Sequence, residues 1–241
     1  MRLHLDSVGI GDGPGADLPP ISVTADHHRP GFVAVETENA PTLASLVAGG
    51  RMSPDHGRVT IDGREESDVI RASFALVDTP TVAEPFPSMR VRQVVREELA
   101  LAGRRADARS AREFIDRIGL AEHTQTRLQA LPTEARTRLL CELALQRDGV
   151  RGLVLTSPER HGGDVLGWLD VVHDLVRRDV TVLVVTSLAT ATTIDELTMP
   201  DYGREAGGDA DDDKTETAPI TTTLTPSDDT AVAPTPESDR L

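Results

Sequence analysis

The chain has 241 residues and a formal net charge of −15, with 38% hydrophobic but only 2% aromatic residues. This length can supply one large domain or two modest ones, with a core built from aliphatic side chains. The negative charge argues against nucleic acid or an anionic membrane as the main partner, because both would repel the protein. The single cysteine, Cys141, excludes an internal disulfide and fits a reducing compartment.

The sequence gives no sign of a targeting or membrane segment. Its first ten residues alternate polar and apolar side chains, unlike the apolar run of a signal peptide. No stretch approaches the roughly 20 apolar residues of a membrane span. We therefore expect a cytoplasmic protein with no direct membrane insertion, which reaches the inner face of the plasma membrane only through a partner.

The N-terminal third predicts short strands and one helix. The predicted strands are residues 1–8 (an edge strand), 21–24, 32–35, 58–61 and 75–77. Residues 9–20 are rich in Gly, Pro and Asp and predict turns, and Asp62-Gly63 predicts a tight turn after a strand. Residues 41–48 change to helical spacing and are followed by Gly49-Gly50, a stop signal.

The middle of the chain predicts helices, and two further strands follow. Helical spacing recurs at residues 91–101, 111–118 and 136–146. Residues 152–155 and 181–185 are apolar strands typical of a parallel sheet covered on both faces, with a helix at 165–177 between them. Strands that alternate with helices favour an α/β sheet, here with a helical insertion.

The C-terminal segment, residues 198–241, has a different composition. It carries eleven acidic and three basic residues, among them Lys214, the only lysine of the chain. Few apolar residues are available there to offset the entropy lost on folding. We expect this acidic tail to be disordered.

Five segments, taken together and in this order, resemble an ATP-binding cassette (ABC) transporter ATPase: TLASLVAG (42–49), PDHGRVTIDG (54–63), PFPSMRV (85–91), LVLTSP (153–158) and VLVVT (182–186). The resemblance covers residues 1–197. It implies a P-loop NTPase-like ABC ATPase fold of the α/β class, with a mixed sheet that is antiparallel in its N-terminal part. It also implies an inserted helical subdomain at about 86–147, before the tail at 198–241.

The resemblance places the ATP phosphate loop at residues 34–42, where most of the family's functional residues are replaced. Ala40 lies at the position of the phosphate-binding lysine and Pro41 at that of the magnesium-binding hydroxyl, whereas Thr42 retains a family residue. The positions of the three glycines hold Ala34, Thr37 and Asn39. A phosphate loop works through backbone N–H groups, close approach of glycines, a lysine and a hydroxyl, so most of its chemistry is missing.

Two carboxylates, Glu36 and Glu38, add negative charge to the same loop. At about 4 Å and an effective dielectric constant near 20, each would repel a unit of phosphate charge by up to about 4 kcal/mol. The alternative is a structural role, in which Thr37 or Asn39 caps the following helix and the glutamates interact with its dipole.

The remaining family motifs are replaced as well. Asp78 lies at the glutamine of the loop that contacts magnesium, either as a ligand or as a solvated turn residue. The signature motif corresponds to Leu131, Pro132, Thr133, Glu134 and Ala135. Its structural alternative is a plain helix start with Thr133 as cap and with Arg136 and Arg138 on a solvated face. The acidic pair corresponds to Thr156 and Ser157, and the switch histidine to Ser187.

A hydroxyl cannot act as a carboxylate base near neutral pH, and Glu159 is a remote substitute for the missing acid. The histidines His27, His28 and His56 lack metal-ligand spacing, and Cys141 fits a packed thiol. We therefore predict no catalytic residue and no metal site.

The resemblance implies a degenerate nucleotide-binding subunit that does not hydrolyse ATP and needs no cofactor. It would act as a non-catalytic or regulatory partner in a membrane transport assembly. It would bind a transmembrane permease subunit, a second ABC ATPase subunit, or both, through a groove near residues 78–91. Two alternatives stay open: an ATP-binding or ATP-hydrolysing subunit that uses ATP and Mg²⁺ at an atypical site with Thr42, Asp78 and Glu159, or a free-standing scaffold.

Overall fold

The computed structural model describes residues 1–36 and 38–198. Thr37 and residues 199–241, which contain nearly all of the acidic tail, lie outside the described residues. The strands are β1 (Arg2–Ile10), β2 (Leu18–Asp26), β3 (Gly31–Ala34), β4 (His56–Ile61), β5 (Phe74–Val77), β6 (Gly152–Thr156) and β7 (Thr181–Thr186). The α-helices are α1 (Ala40–Ala48), α2 (Ser67–Ser73), α3 (Val91–Leu101), α4 (Ala108–Arg117), α5 (Thr133–Ala144), α6 (Val165–Arg177) and α7 (Leu188–Thr198).

The N-terminal strands form an antiparallel sheet of their own, in the order β2-β1-β4. The prediction that the first strand lies at an edge is wrong, because β1 pairs with both β2 and β4. Alternation of apolar residues reports one buried face and says nothing about how many neighbours a strand has. The predicted turn after β4 is confirmed: Asp62 and Gly63 both have positive φ, at 48° and 80°.

The other four strands form a parallel sheet in the order β3-β7-β6-β5. Successive side chains of each strand point to opposite faces. Leu153 and Leu155 of β6 therefore pack into the core beneath α3, α4, α5 and α6, whereas Val154 packs into the core shared with α1 and the antiparallel sheet. Both faces are buried, which explains the continuous apolar runs in these strands.

The two sheets meet closely at Gly31, the first residue of β3. A Cβ atom at this position would lie 2.8 Å from the carbonyl oxygen of Thr24 in β2. Any larger residue would force β2 and β3 apart, so glycine is required here by close approach.

The predicted helices are confirmed, with α4 and α5 each starting three residues earlier than expected. Two helices, α2 and α7, were not predicted. Ile70 is the only buried residue of α2, so this helix has little apolar periodicity. In α7 the hydroxyls of Thr192 and Thr193 donate to carbonyls four residues back, and threonine has low helix propensity. Within the described residues, no helix has the length and apolar content that crossing a membrane requires.

Candidate functional site

The carboxyl ends of the four parallel strands converge at one edge of the sheet. The segments that follow β3, β5, β6 and β7 contain residues 35–40, Asp78, Ser157 and Ser187. In open α/β sheets this edge is where ligands bind. The topology thus brings together four of the five predicted motif positions: the phosphate loop, the magnesium loop, the acidic pair and the switch position. The fifth, the signature, lies at the start of α5.

The segment between β3 and α1 does not make the capping contacts that we expected. Ala40, at the predicted lysine position, is fully buried in the core with Ala44 and Val47 of the same helix. Asn39 occupies the N-cap position of α1, but its backbone is helical and its side chain makes no capping hydrogen bond, so the prediction that Asn39 caps the helix is wrong. Glu38 is exposed.

Glu36 interacts with a different helix. One of its carboxylate oxygens accepts a hydrogen bond from the backbone N–H of Leu188, the first residue of α7. The interpretation that Glu36 serves the dipole of α1 is therefore wrong. A carboxylate at the positive end of α7 stabilises that helix instead.

A chain of buried hydroxyl groups lies beneath α1, at the end of β6. The Oγ1 atom of Thr156 lies 2.8 Å from Oγ of Ser45 and 2.8 Å from Oγ1 of Thr79. Ser45 donates to the carbonyl oxygen of Pro41 at 2.8 Å. Since each hydroxyl has one proton, Thr156 must donate to Ser45 and Thr79 to Thr156. All three side chains are fully buried.

These hydroxyl groups do not fit as ligands of a magnesium–nucleotide complex. Magnesium prefers carboxylate, water and phosphate oxygens in octahedral geometry. The hydroxyls of Thr156 and Ser45 are neutral, are sealed in the interior and already satisfy one another. Pro41 has neither a hydroxyl nor a backbone N–H, and Ala40 brings no cation. The described residues of this segment therefore lack the charged groups of a phosphate site.

Asp78, directly after β5, is buried and paired with Arg136 of α5. The two side chains are only 4% and 3% exposed. Arg136 donates from Nε to Oδ2 at 2.8 Å and from Nη2 to Oδ1 at 2.6 Å, a bidentate arrangement. Asp78 has a φ of 57°, which aspartate tolerates better than most residues. The prediction of a solvated turn residue at Asp78 is wrong.

Three further side chains complete this ion-pair cluster, which comprises Asp78, Glu84, Arg136, Arg160 and His161. Arg160 Nη2 lies 3.2 Å from Asp78 Oδ1 and 3.0 Å from Glu84 Oε1. His161 Nε2 lies 2.8 Å from Asp78 Oδ2, and Arg136 Nη2 lies 3.5 Å from Glu84 Oε1. Because the ionised carboxylate only accepts, His161 donates through Nε2–H.

The cluster determines the ionisation of Asp78. Burial alone would raise the pKa of this carboxyl, because the charged form loses its hydration. Hydrogen bonds from Arg136 and His161, together with the charges of Arg136 and Arg160, outweigh burial and hold the pKa of Asp78 well below its usual range. Asp78 is therefore a permanent anion near neutral pH.

The sequence prediction for Arg136 is also wrong, since this side chain is buried rather than solvated. A signal was present: Arg136 lies on the same helical face as Leu139, Leu140 and Leu143, at spacings of three, four and seven residues. An arginine on the apolar face of a helix requires a buried anion, and Asp78 is that anion. Arg138 is more exposed, at 29%, and lies 3.7 Å from Asp174 of α6.

The oxygen and nitrogen atoms of Asp78, Glu84 and His161 lie within 4.8 Å of one another, which is a possible metal-ligand arrangement. Two arginines share the same carboxylates, however. Two guanidinium groups already balance the two carboxylates, so an added cation would meet the charges of Arg136 and Arg160. The arrangement suits an ion-pair cluster better than a metal site.

The segment at the signature position is packed rather than open. Leu131, Thr133 and Ala135 are buried, whereas Glu134 is exposed. Pro132, not Thr133, occupies the N-cap position of α5, so the prediction of Thr133 as cap is wrong. The hydroxyl of Thr133 instead donates to the carbonyl oxygen of Gly162 at 2.6 Å, which ties α5 to the turn after β6.

The ends of β6 and β7 have structural contacts of their own. Ser157 adopts a left-handed conformation, with φ 44° and ψ 58°. Ser187 caps α7, since its Oγ accepts from the N–H of Thr190 at 3.2 Å. Glu159 Oε1 accepts from the N–H of Ser187 at 2.8 Å, and its Oε2 is buried with no hydrogen-bond partner in the described part of the chain. Glu159 thus supports the start of α7.

A groove of about 340 Å³ lies between α3, α5 and the end of β5. Asp78 and Glu84 of the ion-pair cluster contribute to its lining. Three of its apolar lining residues are exposed: Val82 is 48%, Leu101 68% and Phe86 73% accessible. Exposed apolar clusters of this kind mark interaction surfaces. The groove lies in the region that the sequence indicated, near residues 78–91.

The remaining predicted residues have structural roles. Cys141 is fully buried, and burial raises the pKa of its thiol far above the ordinary value, as expected for a packed side chain. His56 Nε2 lies 2.9 Å from Asp12 Oδ1 at the surface, and the rings of His27 and His28 contact each other at 3.9 Å.

Comparison with known proteins finds similarity at the level of structure. No protein-family model and no curated protein sequence matches the chain. An ATP-binding subunit of an ABC transporter superimposes with a TM-score of 0.53 and 14% identity, over 80% of this chain and 82% of that one. The protein cbiO1 of Clostridium perfringens, part of the ABC transporter complex cbiONQ, gives a TM-score of 0.51 and 17% identity, over 77% and 78%.

A third structure, the ADP conformation of MJ1267, an ATP-binding cassette of an ABC transporter, gives a TM-score of 0.55 and 13% identity, over 78% of this chain and 82% of that one. Identities this low establish architecture rather than chemistry. The chain has the α/β fold of the ATP-binding subunits of ABC transporters.

Proposed function

We propose that this protein is a non-hydrolysing subunit with the ABC ATPase fold, residues 1–197 forming the domain, and that it serves a membrane transport assembly as a structural or regulatory partner. The hydroxyl chain of Thr79, Thr156 and Ser45 carries the proposal. By the family resemblance, Thr156 stands at the position of the magnesium-binding carboxylate, and the chain supplies only neutral groups that are buried and mutually satisfied.

Two other observations support the loss of hydrolysis. Ala40 is buried in the core, so its position holds no cation for phosphate and offers a lysine no direct route to solvent. Asp78 directs both carboxylate oxygens to arginines, which leaves it unsuited to hold magnesium.

In the ABC ATPases that this chain resembles, each nucleotide site is composite and uses the phosphate loop of one subunit and the signature motif of the other. Here both elements are replaced in one chain. A competent partner would therefore find Pro132 and Glu134 opposite its own intact loop. Glu134 would bring negative charge to an anion site. We therefore infer a more complete loss of ATP hydrolysis than in subunit pairs that keep one complete nucleotide site.

Nucleotide binding by the full-length protein tests the proposal. Titration calorimetry with ATP and Mg²⁺ should detect no binding tighter than about 1 mM, a free energy of about −4 kcal/mol. Phosphate release should equal that of buffer, with a competent ABC ATPase subunit as positive control. Phosphate release above the buffer level would overturn the proposal, and a micromolar Kd would favour the alternative, in which ATP and Mg²⁺ bind an atypical site.

The groove supports the proposed membrane partner. We expect a helical segment of a transmembrane subunit to pack on Val82, Phe86 and Leu101, since this surface is apolar and exposed. The full-length protein should then be recovered with membranes of its host cell. Phe86→Asp should abolish this association, whereas Leu166→Asp, at an exposed leucine that does not line the groove, should not. Wild-type protein found only in the soluble fraction would favour a free-standing scaffold.

A further inference from the structure

The ion-pair cluster joins three parts of the chain that lie far apart in sequence. Asp78 and Glu84 belong to the linker between β5 and α3, residues 78–90. Arg136 belongs to α5, and Arg160 and His161 belong to the turn after β6. Asp78 and Arg136 are at most 4% exposed, and the side chains of Glu84 and Arg160 are 27% and 24% exposed. We propose that this cluster fastens the linker to α5 and to the sheet, and thereby holds the groove in one shape without any nucleotide.

The hydrogen bonds of the linker show which part depends on the cluster. Its C-terminal end is held through the backbone, because the carbonyls of Pro87 and Met89 accept from Gln129 at 3.0 Å and Leu128 at 2.8 Å. In the N-terminal half, the N–H groups of Val82 and Ala83 bond to the carbonyl of Thr79, inside the linker itself. The hydroxyl of Thr79 is itself tied to Thr156 at the end of β6, but these backbone contacts do not attach residues 80–86 to the rest of the domain.

Glu84 supplies the attachment. Its Oε1 atom lies 3.0 Å from Arg160 and 3.5 Å from Arg136. Arg160 in turn donates from Nη1 to the carbonyl oxygen of Thr156 at 2.9 Å, at the end of β6. A continuous set of contacts therefore runs from the groove to the carboxyl edge of the sheet. Val82 and Phe86, the exposed apolar residues of the groove, flank Glu84 in the linker.

The charges of the cluster persist at physiological pH. Two carboxylates and two guanidinium groups neutralise one another, and the depressed pKa of Asp78 keeps its charge at any physiological pH. Removing one member would leave another charge poorly compensated in a partly buried environment. The docking role of the groove rests on the proposed function, whereas the fastening of the linker is measured without any partner.

Hydrogen–deuterium exchange of the full-length protein tests the inference. The variants are Glu84→Gln and Arg160→Met, at partly exposed positions where folding should survive. The matched control is Arg138→Met, which removes another α5 ion pair outside the cluster. Both test variants should accelerate exchange of residues 79–86 about tenfold, the scale of a local opening made easier by about 1.4 kcal/mol. The control should leave exchange there unchanged.

The outcomes separate this inference from the proposed function. Unchanged exchange of residues 79–86 in both variants would overturn the inference alone. Phosphate release from ATP above the buffer level, with linker exchange unaffected by nucleotide, would overturn the proposed function alone. Protection of the linker that appears only with Mg–ATP would overturn the inference. Accelerated exchange in the variants, with no effect of about 1 mM Mg–ATP on the wild type, is the expected result.

Discussion

Replacing Arg136 by methionine should cost more stability than any other single ion-pair change in the described part of the chain. Methionine keeps most of the side-chain volume but removes both hydrogen bonds to Asp78, at 2.6 and 2.8 Å. The carboxylate of Asp78 then keeps only Arg160 and His161 as partners, in a site where its side chain is 4% exposed. Breaking a buried pair in this way typically costs about 3–5 kcal/mol, whereas an exposed pair contributes at most about 1 kcal/mol.

Urea unfolding at pH 7 measures this difference. With a denaturant slope of about 2 kcal/mol per M, the midpoint of Arg136→Met should fall by about 2 M while the slope stays the same. The double variant Asp78→Asn/Arg136→Met removes both charges, and asparagine tolerates the positive φ at this position. It should recover a large part of the loss.

The control is Arg138→Met, in the same helix and with a pair distance of 3.7 Å at the surface. If Arg136→Met cost no more than Arg138→Met, Asp78 would not depend on Arg136. If the double variant were no more stable than Arg136→Met, the cost would come from packing rather than from an unpaired charge.

Four further expectations follow. Ala40→Lys should give no ATP turnover in a phosphate-release assay and should lower the unfolding midpoint, because it places an ammonium group on a fully buried position; turnover would refute the account of the site. Thr156→Val keeps the shape but breaks the hydroxyl chain, and should cost about 1–3 kcal/mol in urea unfolding. The pKa of Asp78 is lower in the folded than in the unfolded chain. Its contribution to the free energy of unfolding is therefore complete above about pH 5 and is lost progressively as pH falls below about 4. The wild type should thus lose more stability in acid than Asp78→Asn. Cys141 should react with a thiol reagent only at the rate of unfolding, and rapid labelling of the folded protein would contradict its burial.

Much of the fold could be predicted because its signals are local. The apolar runs that became β6 and β7 are short and bounded by turns, and α6 has the bounds that its spacing predicted. The position of β1 between two strands could not be predicted, since both neighbours contribute hydrogen bonds through the backbone, which leaves little trace in the side-chain pattern. The Thr-rich α7 was missed because Glu36 and Glu159, which support its N-terminus, lie in the segments after β3 and β6, far away in sequence.

The same distinction between local signals and tertiary contacts applies to the candidate site. From the family resemblance we predicted that Ala40, Pro41, Thr156 and Ser187 replace the functional groups of a nucleotide site, since residue identity decides which groups are present. The sequence did not show what those positions do instead. The hydroxyls of Ser45, Thr79 and Thr156 are separated by up to 111 residues and meet only because α1 packs over the end of β6.

Sequence by itself therefore predicted the α/β architecture and, through the family resemblance, the replacement of the lysine, the glycines and the acidic pair of the family motifs. Tertiary structure decided the environments. It buried Asp78, which had been taken for a solvated turn, and placed Arg136 opposite it across 58 residues of chain. The physical reason is that a charge can be buried only where an opposite charge comes from elsewhere in the fold, and that pairing is a property of packing rather than of local pattern.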